Sequence, residues 1–329
     1  MNNIKKIGLT ALAGSLVAIS AQAAEMSVNG ATMLTYTSED GTEVTGNPFG
    51  MKTNLAFTAS GEVNGYNVSY YQASQDQFAG MSSARLSVDM GDMGTLAFDQ
   101  GSGSGLATID DKTPTAAEEI WDGLDVTTSG RVGAAGSSGV FNYINTFEGV
   151  TLNAAARKGS GTSNSDGASS GVGQGAWDFA LTADGSSMGV DGLAIGLGYG
   201  EKENGSAAST TYGDEEHMTA FANYSVGPVT FGYQMSYIDA NKLGTDDEET
   251  TAWGLAFNVN ENLSISYGER DVVFKGEGAG DVTEKGEGIA VAYTMGSMKI
   301  AGNMNEGSNM GGVSAANDSM TEIAVSFAF

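Results

Sequence analysis

Cysteine is absent from the 329 residues, proline occurs three times and histidine once, at His217. The first absence removes disulfide frameworks, thiolate metal centres and cysteine nucleophiles together. A single histidine excludes multi-histidine metal sites and any Ser/His/Asp set not built on His217 itself; that residue falls at a loop–strand junction and is expected in solvent. Positive charge is scarce too, with 14 Lys and Arg against 40 Asp and Glu and a formal net charge of −26. Phosphate binding requires clustered Lys and Arg, which excludes nucleic acid as a partner. A field of this sign instead gathers cations at any opening in the protein.

Long apolar runs are also missing. Beyond the first residues nothing approaches the roughly 18 uninterrupted apolar positions of a helical membrane span. Residues 1–23 have a charged start at Lys5 and Lys6, an apolar stretch from Ile7 to Ile19 and the small-residue pattern Ala21-Gln22-Ala23. That order predicts a secretory signal peptide, with one domain over 24–329; loss of the two lysines takes the net charge to −28. If the remainder enters a membrane, only a closed barrel satisfies its backbone without helices.

What is abundant favours strands and tight turns: 49 Gly, 13 Phe and 12 Tyr, with many Ser, Thr and Asn. Gly-rich acidic chains can lack a core, but regular aromatic alternation argues against disorder. A period of two predicts sixteen strands, near Met26–Thr37, Met51–Glu62, Tyr66–Ser74, Ser83–Met90, Thr95–Gln100, Val140–Phe147, Val150–Lys158, Ala176–Ala183, Leu193–Glu201, Met218–Val226, Val229–Asp239, Thr251–Val259, Leu263–Val272, Gly288–Met295, Met298–Asn305 and Met320–Phe329. The gaps alternate short and long. An even strand count with short turns on one side and long loops on the other is the pattern of transmembrane β-barrels, and sixteen strands leave an aqueous lumen. Parity turns Val28, Leu34, Tyr36, Leu55 and Phe57 to lipid and the small or polar Asn29, Asn54, Ser69, Ser87, Asn153, Ser264, Ser266 and Ser326 to the lumen. Tyr36, Tyr70, Trp253 and Tyr267 suit aromatic girdles at the headgroup level.

The run Thr321 to Phe329 places Ile323, Val325, Phe327 and Phe329 on one face and Glu322, Ala324, Ser326 and Ala328 on the other. Signal peptide, strand count, loop asymmetry and the final Phe329 together resemble the general bacterial porins of the sixteen-strand class. The resemblance implies an outer-membrane homotrimer and a third long loop folded inward to narrow the pore. It also implies a last strand, marked by Phe327 and Phe329, that is read by the barrel assembly machinery.

The third gap, Gly101 to Gly139, is the longest and carries Asp110, Asp111, Glu118, Glu119, Asp122 and Asp125, with only Lys112 and Arg131 basic. Carboxylates so close repel unless water, cations or facing bases compensate. Parity turns Lys52, Arg85, Arg157 and Arg270 to the lumen, since lipid exposure at mid-bilayer would cost about 2–4 kcal/mol each. An acidic loop opposite basic wall residues gives a transverse field that orients polar solutes. The expected function is passive diffusion of small hydrophilic solutes and ions, with cations preferred. A structural or adhesive barrel whose loops bind a surface partner is the competing class; bulky inward side chains or a plug domain would mark it, and neither is seen. Enzymatic activity is not expected, for want of a nucleophile set, and neither is a cofactor. Asp246-Asp247-Glu248-Glu249 and Asp214-Glu215-Glu216 offer the oxygen ligands that Ca²⁺ or Mg²⁺ takes, yet without EF-hand spacing they read as solvated charge runs.

Overall fold

A strand with one apolar and one polar face leaves its backbone groups unpaired at both edges unless neighbours supply partners, and closure supplies all of them. A computed structural model of the protein describes residues 25–39, 47–75, 82–125, 129–136, 138–159, 174–204, 212–276 and 280–329. The expected signal peptide lies outside these residues. The strands are β1 (Glu25–Glu39), β2 (Phe49–Val63), β3 (Tyr66–Gln75), β4 (Ser83–Asp89), β5 (Thr95–Gln100), β6 (Ser138–Phe147), β7 (Val150–Arg157), β8 (Ala176–Asp184), β9 (Leu193–Lys202), β10 (Glu215–Val226), β11 (Val229–Asp239), β12 (Asp247–Asn258), β13 (Leu263–Lys275), β14 (Val282–Met295), β15 (Met298–Ser308) and β16 (Asp318–Ala328). Each pairs antiparallel with its sequence neighbour, and β16 pairs with β1 to close the barrel. Phe329 completes the seam: its N–H donates to the Gly30 carbonyl at 2.9 Å, and the Gly30 N–H donates to the Phe329 carbonyl at 2.8 Å.

Residues opposite one another in a ladder share a face, so the registers can be followed round the wall. Asn54 lies opposite Ala31, Ser69 opposite Ser60 and Ser87, and Ser266 opposite Ala256 and Ala290, a small and polar inner surface. On the other parity Val28 faces Phe57, Leu34 faces Met51 and Tyr36 faces Phe49, all six exposed on the outer surface. Trp253 and Tyr267 stack there at 5.6 Å, and Trp177 and Tyr199 at 5.7 Å. The short turns use left-handed backbone where the hairpin requires it: Asn64 and Gly65 have φ of 54° and 87°, Glu148 and Gly149 48° and 84°.

The expected strands coincide with the observed ones except on the long-loop side, where β10, β12 and β14 begin three, four and six residues earlier than alternation indicates. Two segments read as solvated loop charge are thereby corrected, since Glu215, Glu216, Asp247, Glu248 and Glu249 belong to β10 and β12. They hide from a hydrophobic period because these strand ends carry carboxylates on both parities.

The third loop and the candidate pore constriction

The described residues between β5 and β6, 101–125 and 129–136, run inside the barrel. A short 3-10 turn, Gly105–Ile109, packs against β7, β8 and β9. Leu106 and Ile109 form an apolar cluster there with Val132, Ala180 and Phe221; burying each such side chain contributes about 1.5–3 kcal/mol. The wall is bare glycine where the turn lies closest, since any Cβ on Gly198 would overlap Leu106 Cδ1. Further on, Ile120 lies over Gly288 of β14, and Trp121 and Leu124 join Met310 and Met320 in a second cluster. The chain then returns past β12, β10 and β8. The loop thus makes an outward and a returning pass along more than half of the inner wall.

Backbone groups of a loop held against a wall need partners, and side chains of the strands provide them. Asp178 of β8 accepts from Leu106 N at 3.0 Å on the outward pass and from Ala135 N at 2.7 Å on the return, so one carboxylate holds both. Gln234 of β11 accepts from Lys112 N at 2.7 Å and donates to the Ile109 carbonyl at 2.8 Å. Ser266 accepts from Ala116 N at 2.8 Å, and Asn305 donates to the carbonyls of Glu119 at 3.1 Å and Asp122 at 2.9 Å. Asp318 accepts from Asp125 N at 2.6 Å, and Glu248 accepts from Gly130 N. His217 was expected in solvent but is buried in β10. Its Nδ1 accepts from Gly133 N at 3.3 Å, which leaves the ring proton on Nε2 to donate to Glu215 at 2.8 Å. Its position in a strand end read as loop concealed that role.

Among the loop acids, Asp110 is paired with Arg131 at 2.8 and 3.1 Å across the two passes. Asp111 is half-buried; desolvation, with the charges of Glu119 and Asp110, lifts its carboxyl to about 6, and Thr113 donates to it at 3.3 Å from both N and Oγ1. Desolvation within the barrel, with Asp122 and Glu119 nearby, raises Glu118; desolvation and Glu119 raise Asp122. Lys299 and Glu322 act on Glu118, and Lys52 acts on Asp122. Asp125 stands exposed at the β16 end of the outward pass, its N–H held by Asp318.

All four expected wall bases turn inward, but to different surroundings. Lys52 faces Asp122 of the loop and Glu322 of β16. Arg85 is tied down at the root of the loop by Asp99 at 3.2 Å, the Gly103 carbonyl and Ser104. Arg157 donates to the Gln174 carbonyl at 3.2 Å. Arg270 is 5% exposed, pairs with Glu284 at 3.3 Å and lies 4.9 Å over the Trp121 ring, so the loop covers it and it does not meet the open lumen. Two residues of the acid–base neighbourhood were not singled out in the sequence. Lys299 follows from the parity of β15 between Met298 and Ile300, and Glu322 shares the inward face of β16 with Ala324 and Ser326, taking a hydrogen bond from Thr37 Oγ1 at 3.0 Å.

Solved structures with this architecture include the trimer form of OmpT, an outer membrane protein of Vibrio cholerae, 13% identical, with a TM-score of 0.65 over 93% of this chain and 100% of that one. An anion-selective porin from Comamonas acidovorans is 11% identical, with a TM-score of 0.66 over 93% of this chain and 100% of that one. No curated protein matches the sequence. The family model for Gram-negative porins matches residues 8–312. A closed sixteen-strand wall, small inward residues, a loop laid inside it and a family match over most of the length agree: the chain belongs to the Gram-negative porins, channels of the outer membrane.

Proposed function

We propose that the channel passes small hydrophilic solutes and ions by diffusion, prefers cations, and is narrowed by the third loop at Asp110, Asp111, Glu118, Glu119 and Asp122 facing Lys52 and Lys299. The observation that carries the sign is how the inward bases are committed. Arg85, Lys202 and Arg270 each pair with a wall carboxylate, Asp99, Glu215 and Glu284, at 3.2, 2.7 and 3.3 Å. Few wall bases remain to offset the loop acids, so the narrow region holds net negative charge and draws cations. The anion-selective porin of like fold means that architecture alone does not set the sign; the side chains do. A zero-current potential under a KCl gradient tests the preference, and an anion-selective reading sinks it.

The preference falls as pH drops from 7 to 5. Asp111 loses its proton only near 6, so acidification through that point removes a negative charge, and the raised Glu118 and Asp122 follow in the same direction. Asp110, Glu119 and Arg270 are the charged groups facing Asp111. A zero-current potential flat between pH 7 and 5 would show that Asp111 does not face the ion path.

A homotrimer is supported by the outer surface. Among the described strands β16 and β1 to β8 present no charged side chain outward, whereas β9 to β15 present many, among them Glu201, Glu216, Asp239, Glu249, Glu269, Asp271, Lys285, Glu287 and Glu306. The uncharged side fits contact with further copies, as in the OmpT trimer form. Export by the 1–23 leader and recognition of Phe327 and Phe329 by the assembly machinery complete the reading. Deleting Phe329 removes two seam hydrogen bonds as well as the terminal aromatic, and the amount of heat-modifiable protein in the outer membrane is expected to fall severalfold; normal yield would end that role.

A further inference from the structure

The two passes of the third loop are held in chemically different ways. Along the outward pass Gln234, Ser266 and Asn305 bond to the loop backbone, and amides and hydroxyls keep such bonds at any pH. Among the described residues, each N–H of the return pass that the wall holds meets a titratable acceptor instead: Gly130 N meets Glu248, Gly133 N meets His217 Nδ1 at 3.3 Å, and Ala135 N meets Asp178 at 2.7 Å. Thr250 adds a neutral contact, donating to the Gly130 carbonyl at 3.4 Å. The pass lies tight against the wall here. Gly200 stands opposite His217 in the ladder, and a Cβ on it would overlap Asp178 and come within 3.0 Å of Ala134.

We propose that His217 is a proton-operated latch on the return pass: the neutral ring holds Gly133, and the charged ring releases it. The Nδ1 lone pair takes either the Gly133 N–H or a proton, and in the charged ring both nitrogens are donors, so Nδ1–H then points at another N–H. A carboxyl group keeps one oxygen as acceptor after protonation, which makes the histidine the strictest of the three holds. Glu215 serves both ring forms, because Nε2 carries its proton in each, and the change therefore falls on Gly133. The other charged groups facing His217 are Lys202 of β9, through Glu215, Asp178 of β8 and Glu248 of β12; β11 sets Ile238 opposite it, and Arg131 of the loop is turned to Asp110. Proton and docked pass weaken each other by the same factor. Val132 and Ala135 keep apolar contacts that acid leaves in place, so release loosens the pass without expelling the loop. Histidine changes charge between pH 5 and 8. The inference rests on the channel reading and adds a control on its loop.

The test uses the full-length protein in planar bilayers at 1 M KCl, where the Debye length is about 3 Å and titration of the loop acids acts little on the current. A buried N–H left without a partner raises the undocked population about 5- to 30-fold. Between pH 7 and pH 5 the time spent in conductance substates therefore rises about fivefold or more. His217→Asn puts an amide oxygen near the place of Nδ1 that accepts at any pH, and it gives the same substate occupancy at both pH values; His217→Ala gives the raised occupancy at both. No acid response in the unaltered channel, or a full one in His217→Asn, overturns the latch. His217 is the sole histidine, so nitrogen-15 labelling of histidine and glycine in the detergent-folded protein reads the contact without conduction or substitution. The ring nitrogens and the Gly133 amide shift together, with one midpoint. A ring that takes its proton while Gly133 does not respond overturns the latch, whereas a folded barrel without KCl conductance sinks the channel reading alone.

Discussion

Changing Asp110, Asp111, Glu118 and Glu119 together to their amides is expected to cut the zero-current potential under a tenfold KCl gradient by roughly half. Ideal selectivity for one monovalent ion gives about 59 mV per tenfold, and screened charges act over about 10 Å at 0.1 M salt, so the charges nearest the ion path dominate. These four sit on the outward pass inside the barrel, where Glu118 lies near Lys299. Removing them does not unfold the barrel. The Asp110–Arg131 pair is partly exposed, Arg131 at 45%, and such pairs are worth only about 0–1 kcal/mol. An amide oxygen at Asp111 still accepts from Thr113, and Asn305 holds Glu119 by its carbonyl, which the substitution leaves in place. The effect weakens at 1 M salt, where the Debye length is about 3 Å. A potential unchanged by all four amides, in protein with normal unheated gel mobility, would remove this loop from the constriction.

The bases to test beside them are Lys52 and Lys299, of which the sequence reading singled out only Lys52. Arg85 and Arg270 were legible as inward, because a lipid-facing guanidinium is costly and alternation fixes parity; what alternation lacks is knowledge of partners. Asp99 beside Arg85 and Glu284 beside Arg270 lie on neighbouring strands, close only through the register. Lys299 was equally legible by parity, and its place beside Glu118 depends on how far round the wall the loop reaches. That reach is set by apolar contacts such as Leu106 on Gly198 and Trp121 on Met320, whose partners are about 90 to 200 positions apart in sequence. The barrel itself was legible because each strand carries its own lipid-facing period. The strand ends bearing His217, Glu248 and Glu284 were not, since above the bilayer neither face needs to be apolar and the period disappears.

Asp178→Asn is expected to loosen the loop and to show as new conductance substates and excess open-channel current noise. Asp178 is 1% exposed, and its two oxygens separately hold Leu106 N and Ala135 N, at 3.0 and 2.7 Å. Asparagine keeps the shape but replaces one acceptor by a donor, so one of two buried N–H groups faces another N–H. Leaving a buried donor unsatisfied costs about 1–3 kcal/mol, which multiplies the undocked population by about 5 to 150. The wall is untouched, because the ladders of β8 with β7 and β9 run through backbone groups, so oligomer stability on unheated gels stays at the level of the unaltered protein. Apolar contacts of Leu106 and Ile109 with Phe221 and Ala180 keep the outward pass near the wall, so the substates come from the return pass around Ala135. Asn153, which accepts from Gly105 N at 3.0 Å one residue earlier, provides a graded comparison: Asn153→Ala frees only the start of the loop and gives a smaller rise in noise. If Asp178→Asn conducts with the amplitude and noise of the unaltered channel, then the carboxylate does not hold the two passes, and the apolar clusters at their ends suffice.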